Sequence, residues 1–127
     1  KALEEQGPMV YVKKRDDIVV DNKLEILPFL SIQYTNDEMI LNSMYSVFKK
    51  FYLEDENKLI IDFKGEVTFF TKREDLDSKH FKKIIVGNHQ AEKYFRVVLI
   101  LEESPLKYEV TYNDDSVYIN FNKEIIE

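Results

Sequence analysis

Residues 82–121 read KKIIVGNHQAEKYFRVVLILEESPLKYEVTYNDDSVYINF, and the fold turns on how their apolar positions repeat. At the centre, Phe95-Arg96-Val97-Val98-Leu99-Ile100-Leu101 is almost uninterruptedly apolar. A strand buried on both faces and a piece of core helix look alike at this level. Length and composition separate them. Seven residues rich in β-branched and aromatic side chains, bounded by Lys93-Tyr94 and Ser104-Pro105, predict a strand. Two alternating segments follow. From 106 to 112, Leu106, Tyr108, Val110 and Tyr112 share one parity while Lys107, Glu109 and Thr111 take the other. From 116 to 122, Val117, Ile119 and Phe121 stand against Ser116, Asn120 and Asn122. Asn113-Asp114-Asp115 joins the two segments with side chains that bond their own backbone in turns. The three segments together predict an antiparallel meander with one wet face.

Outward from this block the same logic continues. Leu59, Ile61 and Phe63 alternate with Lys58, Ile60 and Asp62, between the turn residues Glu54–Asn57 and the punctuating Gly65. Val67, Phe69 and Thr71 predict a further strand, and the charged run 72–79 a loop or short helical turn. Leu24, Ile26, Pro28, Leu30, Ile32 and Tyr34 share one parity over eleven residues. Pro28 cannot donate to a ladder, so it marks an edge, a bulge or a join between two strands. The short runs Met9–Val12 and Ile18–Val20 suggest an extra hairpin behind a polar tail ending in Gly7-Pro8. The segment 37–53 is divided. Ile40, Leu41, Met44, Tyr45, Val47, Phe48, Phe51 and Tyr52 fit an amphipathic helix, and the alternative is two strands over 38–42 and 47–53. Strands recurring about every 8–12 residues have the rhythm of a sandwich or barrel.

Composition narrows the function classes. The 127 residues are 44% hydrophobic and 33% charged, the balance of an ordinary globular domain. A net charge of −6 argues against a nucleic-acid surface, which needs excess Lys and Arg to neutralise phosphates. No apolar run approaches the ~20 residues of a membrane-spanning helix. Without cysteine there is no disulfide framework and no thiolate metal site. The chain opens on Lys1 without a charged-then-apolar leader and reads as an excised fragment or mature form.

Three blocks carry a family resemblance. Asn57-Lys58-Leu59-Ile60-Ile61-Asp62-Phe63-Lys64-Gly65 resembles the "rlViDl.g" strand of AMIN domains. Phe81–His89 followed by Tyr94-Phe95-Arg96-Val97-Val98-Leu99 is similar to that family's "i(R)xG…vRvVldl" block. Tyr108-Glu109-Val110 with Tyr118-Ile119 resembles its closing pair, so the likeness covers roughly residues 24–122. Two positions depart from the pattern: Ile85 or Val86 stands where the family often has arginine, and Ile100 where it has an acid. The resemblance implies an all-β fold, a two-layer β-sandwich of antiparallel sheets, and favours strands over 38–53. It implies a sandwich over 24–123, with an N-terminal tail and candidate hairpin over 1–23 and a tail over 124–127. It also implies a role: a non-catalytic periplasmic domain of the cell envelope that holds peptidoglycan, with no cofactor. The alternative it leaves is a protein–protein docking module in an envelope assembly such as a secretin or pilus machine.

The residues themselves offer little catalytic chemistry. His80 and His89 are the only histidines and match no zinc spacing. Three glycines make no phosphate-binding loop, and no Gly-x-Ser-x-Gly elbow occurs. The expectation is therefore no enzyme and no metal. Candidate ligand-binding residues are Arg96, Asn88, His89, Tyr94 and Lys83. Gly87-Asn88-His89-Gln90 links two strands, either as a polar binding loop or as a turn in which Gly87 takes φ > 0 and Asn88 closes it. Arg96, at the "vRvV" arginine, needs a partner, because an unpaired buried charge is too costly. It either pairs with Asp62 or stacks on a Tyr or Phe ring, or it contacts ligand from an exposed face. Tyr94 is among the tyrosines of mixed parity, whose rings can stack on sugar faces.

Overall fold

The structure, a computed structural model, describes residues 22–122. The expected N-terminal hairpin and both tails lie outside the described residues. Ten strands follow in chain order: β1 (Asn22–Leu27), β2 (Leu30–Tyr34), β3 (Glu38–Asn42), β4 (Val47–Leu53), β5 (Lys58–Lys64), β6 (Lys72–Asp75), β7 (Phe81–His89), β8 (Tyr94–Leu101), β9 (Tyr108–Tyr112) and β10 (Ser116–Phe121). They form two five-stranded antiparallel sheets, ordered β1-β2-β3-β10-β9 and β4-β5-β8-β7-β6. The fold is the expected two-layer all-β sandwich.

Its core follows the period-2 rule. Ile32, Met39, Leu41 and Ile119 from the first sheet meet Leu59, Ile61, Ile84, Val97 and Leu99 from the second, all fully buried. Each such side chain contributes roughly 1.5–3 kcal/mol. One end is filled by rings: Phe63 and Phe95 stack at 5.0 Å, and Phe29 meets Phe95 edge-on at 5.0 Å. Pro28 is the join, lying in the turn between β1 and β2 where no ladder donor is needed.

The divided segment resolves as β3 and β4, which join different sheets across Ser43–Ser46. A helix would gather its eight apolar residues on one face. Here Leu41 is fully buried while Met44 and Phe48 are 80% and 49% exposed. Ser43 stabilises the break, its hydroxyl accepting the Tyr45 N–H at 3.2 Å.

Four expectations are corrected. The meander does not exist as one sheet: β8 belongs to the second sheet, while β9 and β10 pair in the first. Ser104-Pro105 is where the chain changes layer, through a 3₁₀ turn over Pro105–Lys107 whose Leu106 N–H is accepted by the Ser104 hydroxyl at 3.2 Å. Next, β8 is not buried on both faces. Phe95, Val97, Leu99 and Leu101 face the core, and Tyr94, Arg96, Val98 and Ile100 are half-buried on the outer side. Third, the positions of strand and loop after Gly65 are exchanged. Residues 66–71 pair with no ladder, since Phe69 turns into the ring cluster against Phe29 and Phe95. The charged Lys72–Asp75 instead pairs with β7 as an all-exposed edge strand. Backbone bonding holds it, and charge blunts the edge. Last, Gly87 has no positive φ and lies within β7; among the described residues the left-handed ones are Asn57 and Lys93, each ending a 3₁₀ turn between paired strands.

Candidate functional site: the outer face of the second sheet

Register places the candidate residues. Lys83 pairs with Ile100, Ile85 with Val98, Gly87 with Arg96 and His89 with Tyr94 across β7 and β8. Across β8 and β5, Arg96 pairs with Asp62 and Val98 with Ile60. All these positions alternate with core residues, so they share the outward face. Arg96, His89, Tyr94 and Lys83 therefore lie on one surface. Asn88 does not. It takes the inward parity opposite the buried Phe95, and its amide donates to the Phe69 carbonyl at 3.3 Å, pinning segment 66–71 over the end of the sandwich.

Arg96 sits at the middle of this face. Its Nε and Nη2 donate to the two carboxylate oxygens of Asp62 at 2.8 and 2.9 Å, a bidentate fork. Asp62 is only 1% exposed and the Arg96 side chain 28%. The hydrogen bonds to Asp62 outweigh burial and raise the guanidinium pKa above its already high ordinary value. The guanidinium also lies 5.1 Å from the Phe51 ring centroid and 5.6 Å from that of Tyr94. Both structural roles foreseen for Arg96 are thus present together. Two of its five N–H donors are used by Asp62, and the rest point along a partly wet face.

Beside it is a platform of rings. His89 stacks on Tyr94 with centroids 4.6 Å apart and planes 5° from parallel, and Phe48 meets Tyr94 edge-on at 5.6 Å. Beyond Arg96 the face becomes apolar, with Phe51, Ile60, Val98 and Ile85 in adjacent strands. Lys83 closes the far end, its ammonium 3.5 Å from Asp75. Phe48 and Phe51 are members of the face that local reading missed. The helix-or-strand ambiguity over 37–53 concealed which way they point; only a strand assignment with β5 as neighbour puts them beside Arg96 and Tyr94.

The second histidine belongs to the scaffold. His80 is buried at 5% exposure and stacks on Phe121 with centroids 3.7 Å apart; its Nδ1 lies 2.9 Å from Glu103 Oε1. The Tyr108 hydroxyl donates to the His80 carbonyl at 2.6 Å, tying β9 to the strand start of β7. Burial holds the Tyr108 phenol far above its ordinary range. Among the described residues no group of three His, Cys, Asp or Glu could hold a metal ion, and no helix is long and apolar enough to cross a membrane.

No curated protein and no solved structure matches the chain. The family model of the AMIN domain matches residues 31–121, from β2 to the last residue of β10 and well over half the sequence. The matched span takes in nine of the ten strands, every strand of the second sheet and the Asp62–Arg96 pair at its centre. On that match, the chain belongs to the AMIN domain family.

Proposed function

We propose that this domain is a non-catalytic binding and targeting module of the cell envelope that holds peptidoglycan in the periplasm. Membership of the AMIN family, a family of non-catalytic peptidoglycan-targeting modules found in envelope proteins, is the observation that carries this reading. The outer face of the second sheet supports it. His89, braced by stacking on Tyr94, has its other ring face to offer to a sugar, and Arg96, held rigid by Asp62, offers donors beside it. Individual contacts of this kind are weak, and a polymeric ligand makes them effective through repetition. Co-sedimentation with purified sacculi at low salt is the test. The wild-type domain pellets above a control protein, and Tyr94→Ala, which leaves the Asp62–Arg96 pair in place, pellets less. Wild-type protein that stays in the supernatant overturns the proposal.

A second reading is docking onto an envelope protein. The half-buried band of Phe51, Val98 and Ile85 favours it, because contiguous apolar residues on an outward face suit a protein partner. It requires a defined partner whose binding is lost on Val98→Lys, and no sedimentation with sacculi.

A further inference from the structure

Next to the ring platform, with Phe48 shared between them, a cleft of about 360 Å³ opens between β4 and the β9–β10 turn, where the edges of the two sheets come together. Its size falls within the ~300–1,000 Å³ usual for small-ligand sites. One wall carries Lys50 with Phe48, and the other carries Tyr112, Asp114 and Asp115. Lys50 is out of place by sequence rules. It pairs with the fully buried Ile61 and so takes the core-facing parity of β4, where a lone ammonium would be expensive. Two phenols resolve this: the Lys50 ammonium lies 5.3 Å from the Tyr52 ring centroid and 5.8 Å from that of Tyr112. Burial pulls the Lys50 pKa down, but hydrogen bonding and charge from Tyr52 and Tyr112 outweigh it and leave the group above its ordinary value. The cation is therefore fixed and permanent, with one ring of its clamp, Tyr112, 46% exposed to the cleft.

The opposite wall is equally built. Asp115 is held by its own backbone, whose carbonyl accepts the Ser43 N–H at 3.1 Å, and its carboxylate lies 3.4 Å from the Ser116 hydroxyl. That hydroxyl is itself 2.8 Å from Asn42 on β3. Asp114 stands next to it at the tip of the turn. The cleft thus sets the Lys50 ammonium against two carboxylates, with exposed rings of Phe48 and Tyr112 between them, while the Lys49 ammonium turns to the other face of β4, 5.5 Å from the Phe51 ring centroid. A polyanion meets the two acids, and a neutral glycan leaves the charges of both walls unanswered. A molecule carrying both signs satisfies each wall.

We propose that this cleft binds a short zwitterionic peptide, with a free carboxylate on Lys50 and an ammonium on Asp114 and Asp115. Resting on the peptidoglycan reading above, the ligand is an uncrosslinked stem peptide of the wall, recognised beside the ring platform rather than on it.

The test titrates isotope-labelled domain, followed by amide NMR, with a tripeptide ending in lysine and, separately, with a tetramer of N-acetylglucosamine. The tripeptide shifts the amides of residues 50 and 112–116 saturably, and the sugar does not move them. Amidating the peptide's C-terminus weakens binding about tenfold, equivalent to about 1.4 kcal/mol for one lost charge-assisted contact. Lys50→Met causes a similar loss and makes amidation neutral. The amidated peptide is read on unaltered protein, and the Asp114→Asn, Asp115→Asn double variant changes only the turn tip, so the outcome does not hinge on the folding of Lys50→Met. Unmoved cleft amides, indifference to amidation, or the sugar occupying the cleft overturns the assignment. Sacculi that pellet wild type and Lys50→Met equally, with a silent tripeptide, reject the cleft and leave the targeting reading intact. A binding tripeptide without sedimentation does the reverse.

Discussion

Replacing Arg96 by methionine keeps most of its volume and removes the fork that satisfies Asp62. The carboxylate left behind is 1% exposed and loses both hydrogen bonds of the fork, at 2.8 and 2.9 Å. Breaking a buried ion pair from one side costs about 3–5 kcal/mol. Because the Arg96 side chain is 28% exposed, water enters part of the vacated space, and the lower end, about 3 kcal/mol, applies here. For a domain of this size that corresponds to a fall in Tm of roughly 12–24 °C. Asp62→Leu is milder, about 1 kcal/mol, since the freed guanidinium can turn toward solvent along the same face. The double variant, Asp62→Leu with Arg96→Met, buries two apolar groups in register and returns to within about 1 kcal/mol of wild type. With eight tyrosines and no tryptophan, urea unfolding is followed by tyrosine fluorescence alongside far-UV circular dichroism. If Arg96→Met costs under about 1 kcal/mol, or if the double variant is as unstable as Arg96→Met alone, the pair is not what organises this face.

Gly65 and Gly87 should respond in opposite ways to alanine. At Gly65 a Cβ would meet the Tyr45 ring at 2.7 Å, so Gly65→Ala lowers stability by about 1–3 kcal/mol in thermal melts, and less so when Tyr45 is truncated. At Gly87 nothing lies within 4 Å and φ is ordinary, so Gly87→Ala is neutral or stabilises by up to about 1 kcal/mol. Lys93 holds φ 66° at the end of the turn between β7 and β8, and Lys93→Gly relieves it, raising stability by up to about 1 kcal/mol in the same assay. Tyr108→Phe removes a 2.6 Å bond to the His80 carbonyl, which keeps the Glu102 N–H at 3.3 Å, and costs about 1 kcal/mol. Burial raises the Tyr108 phenol, so the folded state keeps a proton that the unfolded state loses near the ordinary value of 10. Stability is then flat below that pH and falls above it; Tyr108→Phe shows a shallower decline in urea midpoints across about pH 10–12, and an unchanged slope refutes the assignment.

Local pattern carried the reading a long way at some residues and failed at others for identifiable reasons. Leu59, Ile61 and Phe63 alternate because a strand with one buried face imposes a period of two, and that period is written in neighbouring residues. The Asp62–Arg96 pair was also legible, since a charge in an apolar strand demands a partner and only a few acids stand in strands. Lys72–Asp75 was misread because an edge strand exposed on both faces leaves no hydrophobic signature; its pairing to β7 is made by backbone groups that every residue possesses. Phe69 was misread the other way, its apolar character serving a plug rather than a ladder.

The all-β class, the turn chemistry at Asn113–Asp115, the core parity of β5 and β10 and the need of Arg96 for a carboxylate follow from residues close together in the chain. Which sheet each strand joins does not. β8 and β9 have only six residues between them yet lie in different layers, and Lys50 meets Tyr112 across sixty-two positions, because layer choice is settled by packing between distant faces. The outer face of the second sheet is assembled by pairing between strands distant in sequence, and the charged cleft beside it exists only once both sheets have closed over their shared core.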